Sequence, residues 1–277
     1  MRSESSNLGV EGTYLEEIIS WHRNRAQKDD RSRFEVRTQA LATTRPVSLF
    51  DAIASDPGVS LIAECKRRSP SKGDLAQIED PIALGQAYYG AGAAAISVLT
   101  DEKYFSGSLF DLKEIAASVP IPCLRKDFTL DEIDIYDARM HGASAVLLIV
   151  AALANNELEF FLELAAECDL DVITEVHTKA EIEVALAAKA KIIGINQRNL
   201  QDFSIDTSLA CKLRSEIPPG VLCVAESGIT QVSQAQELLE FGFDAMLVGE
   251  ALVRSDSPQK LAKDFVSSGR QKGNLCL

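Results

Sequence analysis

The chain has 277 residues, 46% hydrophobic and 25% charged, the balance of a soluble globular protein with an ample core. Its formal charge of −13 argues against a nucleic-acid partner, because gripping a phosphodiester backbone takes a clustered basic face. No apolar run reaches membrane-spanning length, and the polar start MRSESSNLGVEG has no signal-peptide core.

In chain order, Tyr14 to about Arg33 has Leu15, Ile18, Ile19 and His22 at helical spacing and predicts one helix. A short apolar segment, Val47 to Ala54, follows the break at Arg45-Pro46. Residues 1–57 are thus expected to form a helical extension capping an open end of the fold, residues 58–267 the fold itself, and residues 268–277 a tail, all within one domain.

From Ser60 the pattern strand, loop, helix repeats. The expected strands are Ser60 to Lys66, Ala94 to Thr100, Ile121 to Asp127, Ala145 to Val150, Asp171 to Val176, Lys191 to Asn196, Val221 to Ser227 and Ala245 to Gly249. Each is short, continuous and rich in Ile, Val and Leu, as strands covered on both faces are. Between and after them come amphipathic stretches: Pro81 to Tyr89, Ser108 to Val119, Leu130 to His141, Asn156 to Cys168, Lys179 to Ala188, Thr207 to Ile217, Gln231 to Phe241 and Pro258 to Val266. Ser108, Thr129 and Thr178 stand as N-caps, and Gly90, Gly142 and Gly242 as helix ends. Eight such units predict an α/β fold, a (β/α)8 TIM barrel, with a doubly wound open sheet as the second choice.

A barrel of this kind carries its site at the C-terminal ends of the strands. There the sequence collects charge: Glu64 and Lys66, two apart and so on one face, then Lys126, Glu175, Asn196 and Arg198, and Glu226 with Ser227. An isolated E-x-K is more often a surface ion pair, but a stable barrel has no need of several carboxylates and two lysines aimed at one mouth. Ser227-Gly228 and Gly249-Glu250 place glycine in the loops after the last two strands, where barrels often hold phosphate, which predicts a small phosphorylated substrate.

The strings IAECKRRSPSKG, LRKDF followed by TLDEIDIYDARMHGASAVLLI, ITEVHTKAEIEVAL, IGINQRNLQDF, VAESGI and DAMLVGEALV resemble those of the indole-3-glycerol phosphate synthases, barrels of tryptophan biosynthesis. The resemblance runs from the N-terminal helix to about Pro258. It implies ring closure, decarboxylation and dehydration of 1-(2-carboxyphenylamino)-1-deoxyribulose 5-phosphate, a lyase reaction without metal or organic cofactor. By that resemblance Lys126 is the general acid. Lys66 binds the substrate carboxylate and serves as the dehydration acid, and Glu175 is the candidate base with Glu64 nearby. Asn196, Arg198, Glu226 and Ser227 would hold substrate hydroxyls and order the charges, with Ser69 and Pro70 in the loop after the first strand. Phe105, Phe128, Leu147, Ile149 and Phe203 would wall the slot for the aromatic ring, and Gly228, Gly249 and Glu250 would meet the phosphate through their backbone. Other enzymes of that pathway are the implied partners.

Other residues invite plainer readings. The six cysteines form no C-x-x-C pair and sit in apolar runs, as reduced thiols of a cytoplasmic protein do. Cys65 points away from Glu64 and Lys66, and Arg125 faces the helices as an ion-pair partner. His22 and His141 are dispersed, and His177 belongs to a loop near the site. Two other functions stay open on the residues alone: a sister isomerase barrel such as phosphoribosylanthranilate isomerase, and a barrel that binds a phosphorylated ligand without turning it over.

Overall fold

The computed structural model describes residues 13–270. Eight parallel strands close into a barrel: β1 (Ser60–Cys65), β2 (Ala95–Leu99), β3 (Cys123–Lys126), β4 (Ala145–Ile149), β5 (Asp171–Val176), β6 (Ile192–Asn196), β7 (Leu222–Glu226) and β8 (Ala245–Val248). Closure is made by β8 returning to β1, with Ser60 opposite Ala245 and Ala63 opposite Val248, which rules out the open sheet. The expected strands are therefore all present, β5 with its expected bounds and the others trimmed at one or both ends.

Outside the barrel lie α4 (Pro81–Gly90), α5 (Leu109–Ser118), α6 (Glu132–Met140), α7 (Asn155–Glu167), α8 (Lys179–Ala187), α9 (Leu209–Leu213), α10 (Ser233–Glu240) and α11 (Pro258–Arg270). Strand residues of one parity, such as Leu61, Ala63 and Cys65 or Val146 and Leu148, pack in the layer between sheet and helices. Those of the other parity, such as Ile62, Leu124, Ile173 and Val224, fill the interior. A strand covered on both faces needs apolar residues at every position, and that is what the sequence supplies.

The N-terminal stretch departs from expectation: Tyr14 to Arg33 is not one helix. Helix α1 (Tyr14–Gln27) stops, and α2 (Arg33–Leu41) starts afresh behind Ser32, whose hydroxyl accepts from the Glu35 N–H. Between them Arg31 binds Asp29 and reaches Asp137 on α6 with two bonds of 2.8 Å, turning the chain so that α2 packs on α6. The next helix, α3 (Leu49–Ala54), closes the bottom of the barrel. Its Leu49 and Ile53 join the interior core, and Ser48 Oγ and Phe50 N–H both donate at 2.9 Å to Asp171, the first residue of β5. At the opposite end α1 lies over the strand C-termini, where its buried His22 meets Asp101 in the loop after β2.

Smaller corrections have local causes. Asp131, not Thr129, caps α6, accepting from Ile133 N–H in a capping box with Asp134. Gly90 lies inside α4, and the turn is taken by Gly92 at φ +90°, a conformation that favours glycine. The expected helix from Thr207 to Ile217 is the short α9 followed by a 3-10 turn, Arg214–Glu216. Residues 268–270 belong to α11 rather than to a tail: the Gly269 carbonyl accepts from Val59 N–H at 2.9 Å, and a side chain on Gly269 would strike Val59. The start 1–12 and the remainder of the expected tail, 271–277 with Cys276, lie outside the described residues.

Candidate active site

The inward parity of five of the eight strands ends in a functional group. On β1 it runs Ile62, Glu64 and then Lys66 just past the strand; on β3 Leu124, Lys126; on β5 Ile173, Glu175; on β6 Ile192, Gly194, Asn196; on β7 Val224, Glu226. Register fixes who meets whom, since Glu175 lies opposite Gly194, and Asn196 opposite Glu226. Lys126 Nζ stands 3.1 Å from Glu175 Oε2 and 3.6 Å from Glu226 Oε2, and Lys66 Nζ is 2.6 Å from Glu64 Oε1. The three carboxylates are buried, while both lysines remain partly open to the mouth. Pairing makes such charges tolerable in a low-dielectric interior.

These neighbours shift one another's proton affinities. Burial works against the Lys126 charge, but the carboxylates of Glu175, Glu226 and Glu64 more than offset it, so the ammonium is held above its ordinary range. Burial also opposes charge on Glu175, yet Lys126, His177 and a hydrogen bond from Asn196 hold it below the usual glutamate value. Glu226 goes the other way: burial, reinforced by Glu175 and Glu64 and opposed by Lys126, pushes it up to about 8. Two adjacent glutamates are thus driven apart, Glu175 towards the ionised form and Glu226 towards the protonated one.

The remaining expected residues line the same cavity. Ser69 and Pro70 border it from the loop after β1, which carries a small two-stranded ribbon, Arg68–Ser69 with Gly73–Asp74. That loop is tied across the mouth: Arg198 Nη1 donates to Ser71 Oγ at 3.0 Å, and Lys72 Nζ to Glu250 Oε1 at 2.6 Å. One wall is apolar, built from Phe105, Phe128, Leu147, Ile149 and Phe203, the last held against Tyr14 of α1 with ring centroids 4.7 Å apart. On the opposite rim Ser227 and Gly228 take positive φ, 61° and 72°, and with Gly249 and Glu250 they bring main chain to the cavity. Cys65 faces the helix layer, and Arg125 is buried with Asp127 at 2.8 Å and Asp134 at 3.5 Å, both as expected from parity.

Some contributors were not anticipated. A Cβ on Gly194 would overlap Glu226 Oε1, and one on Gly249 would overlap Glu64 Oε1, so each glycine makes room for a carboxylate. Glycine inside the run IIGIN is the sequence signal for such a close approach. Asp101 and Asp127 also line the cavity, and His22 Nε2 reaches them at 2.8 and 3.9 Å. These three residues bring ligand-type atoms within 4.8 Å of one another. His22 is already hydrogen-bonded to Asp101, and Asp127 already accepts from Arg125 and Thr100, so the cluster serves to tie α1 to the barrel.

Comparison with known proteins agrees with this geometry. The profile of the family described as indole-3-glycerol phosphate synthase matches residues 15–265. An indole-3-glycerol phosphate synthase of Lactiplantibacillus plantarum is 48% identical over 242 residues, covering 87% of this chain and 93% of that protein. One from an Arthrobacter species is 44% identical, covering 86% and 89%. A solved structure of Mycobacterium tuberculosis tryptophan synthase superposes with a TM-score of 0.62 at 14% identity, over 80% of this chain and 97% of that one, which shows a shared barrel fold. The chain belongs to the indole-3-glycerol phosphate synthase family.

Proposed function

We propose that this chain converts 1-(2-carboxyphenylamino)-1-deoxyribulose 5-phosphate into indole-3-glycerol phosphate, with Lys126 as the general acid. The observation that carries this reading is the placement of Lys126 between Glu175 and Glu226, in a cavity with an apolar wall on one side and glycine-bearing loops on the other. The substrate has matching parts, an aromatic ring and a phosphate joined by a short polyhydroxylated chain. Phe105, Phe128, Leu147, Ile149 and Phe203 take the ring, and the main chain at Gly228 and Gly249 takes the phosphate. Asn196, Arg198 and Ser227 hold the hydroxyls between them.

Ring closure needs a proton on the ketone oxygen as the ring carbon attacks it. The developing alkoxide is far more basic than an amine, so even a strongly held Lys126 proton moves to it. The substrate carboxylate, drawn to Lys66, leaves as carbon dioxide, and its bonding pair restores the aromatic ring. In the final step the new hydroxyl departs as water with a proton from Lys66, while Glu175 removes a proton from the neighbouring carbon. Glu64 holds Lys66 in place at 2.6 Å. Excluding water from the closed site strengthens each of these charge effects. Among the described residues no helix is long and apolar enough to cross a membrane. The cysteines in that range are free, with burial pushing their thiols up, which supports assignment to a reducing compartment such as the cytoplasm.

The test is the fluorescence of the indole product formed by the native chain and by Lys126→Ala. Native turnover falling at least about a hundredfold is expected, the scale of losing a general acid. Turnover that survives would move the acid to Lys66, and a native chain that binds the substrate without turnover would make it a binding barrel.

A further inference from the structure

The dehydration needs one ionised carboxylate, and two candidates, Glu175 and Glu226, flank the same lysine. Lys126 touches both, at 3.1 and 3.6 Å, so it discriminates weakly between them. A second group, His177, acts on both through its charge but among the described residues forms an ion pair with Glu175 and not with Glu226. The His177 ring is partly buried just beyond β5, with Nε2 3.5 Å from Glu175 Oε1, the oxygen that Lys126 does not hold. Its other nitrogen, Nδ1, is 3.4 Å from Glu181 Oε2, and the same oxygen accepts the His177 backbone N–H at 2.7 Å. Glu181 at the start of α8 therefore fixes both the main chain and the ring.

His177 Nε2 and Glu175 Oε1 are buried without another hydrogen-bond partner among the described residues, so a small ring rotation closes the pair. Glu226 Oε1 is equally buried and has no hydrogen-bond partner among the described residues. The groups acting on the His177 ring are Glu175 near the end of β5, Glu181 from α8 and Glu226 from β7. All are acidic.

We infer that His177 is a positioning residue for the dehydration: as an imidazolium bridging Glu181 and Glu175, it selects Glu175 rather than Glu226 as the ionised base. The inference rests on the reaction proposed above and adds to it the device that tells the two glutamates apart. The proton-affinity shifts run in the same direction. Burial pushes His177 down, but Glu181, Glu175 and Glu226 more than compensate and raise it, while Glu175 is lowered and Glu226 raised. In the catalytic step a C–H bond of the dehydrating intermediate breaks, its proton passes to Glu175, and the electron pair forms the new ring double bond as water leaves. His177 donates nothing and keeps its proton throughout.

The experiment is the pH profile of kcat and KM, followed by product fluorescence, for the native chain, His177→Asn and Glu181→Gln. Removing the imidazolium is expected to raise the acid limb of the kcat profile by about one pH unit, the scale of an opposite charge within about 4–6 Å of a carboxyl, and to change KM less than about twofold. Glu181→Gln keeps the ring but weakens its charge, and shifts the limb the same way by less. Should His177→Asn fail to fold, the Glu181→Gln profile decides alone. An acid limb that stays at its native position in the folded variants would overturn the inference while leaving the reaction standing. Absence of turnover in the native chain would overturn the reaction and the inference with it.

Discussion

At the N-terminal end of the barrel Ile62, Leu124, Ile173, Ile192 and Val224 fill the interior, and Leu49 and Ile53 of α3 seal it. Two residues further along the same strands, on the same inward parity, stand Glu64, Lys126, Glu175, Gly194 and Glu226. One pleat separates a dry core from a charged site. The lower layer stabilises the fold through burial and close packing. The upper layer does the opposite, holding three buried carboxylates that the fold does not require and that only neighbouring lysines make tolerable. Placing the site one pleat above the core gives its side chains rigid backbone positions, which loops alone do not supply.

Substitutions at paired positions sharpen this contrast. Lys126→Ala is expected to lower turnover by at least about a hundredfold, as proposed for the loss of the general acid. Leu124→Ala, one pleat below and fully buried, should instead cost about 2–5 kcal/mol of stability by opening a cavity. Denaturant unfolding would show the loss, and turnover per folded molecule should stay within about tenfold. If Leu124→Ala were to abolish turnover in the folded protein, the two layers would not be separable.

Gly194→Ala probes the boundary itself, since the added methyl overlaps Glu226 Oε1 and crowds Ile173. A destabilisation of roughly 1–3 kcal/mol is expected from overpacking, together with reduced kcat as the carboxylate is displaced. A variant with native kcat and native stability would show that Glu226 has room to move.

The smallest effect is in the pH dependence of stability. Glu226 titrates at about 8 in the folded chain, against 4.5 for an unperturbed glutamate. Between these values the folded state keeps a proton that the unfolded chain has lost. The contribution of this group is therefore complete below about 4.5 and is lost as pH rises towards about 8. Thermal unfolding of Glu226→Gln should show a shallower decline with pH over that window than the native chain. Parallel curves would mean that Glu226 is ionised in the fold.

Much of this architecture is legible in the chain. Short runs rich in Ile, Val and Leu, set between helical stretches, read as strands covered on both faces. Period-two alternation alone aims Glu64 with Lys66 inward and Cys65 outward. The N-terminal region is less legible, because the helical spacing from Leu15 to His22 runs into a charged stretch, residues 23–33, that has no glycine or proline to mark a break. The break between α1 and α2 comes from Arg31 binding Asp137, more than a hundred positions away. The cap of α6 lies two residues beyond its expected place for a related reason: Thr129 and Asp131 are both good caps, and Asp134 reaching back to the Asp131 N–H decides between them.

By itself the sequence determined the barrel, the inward parity of each strand and the collection of charge at one end, because these follow from local alternation and from the order of the elements. Only the tertiary structure decided which charges pair. Lys126 meets Glu175 and Glu226 through the register of strands β3, β5 and β7, and His177 meets Glu175 because Glu181 holds its ring there. Closure of the barrel, with β8 beside β1, brings residues distant in the chain within 4 Å, and at that range burial and neighbouring charge set each proton affinity.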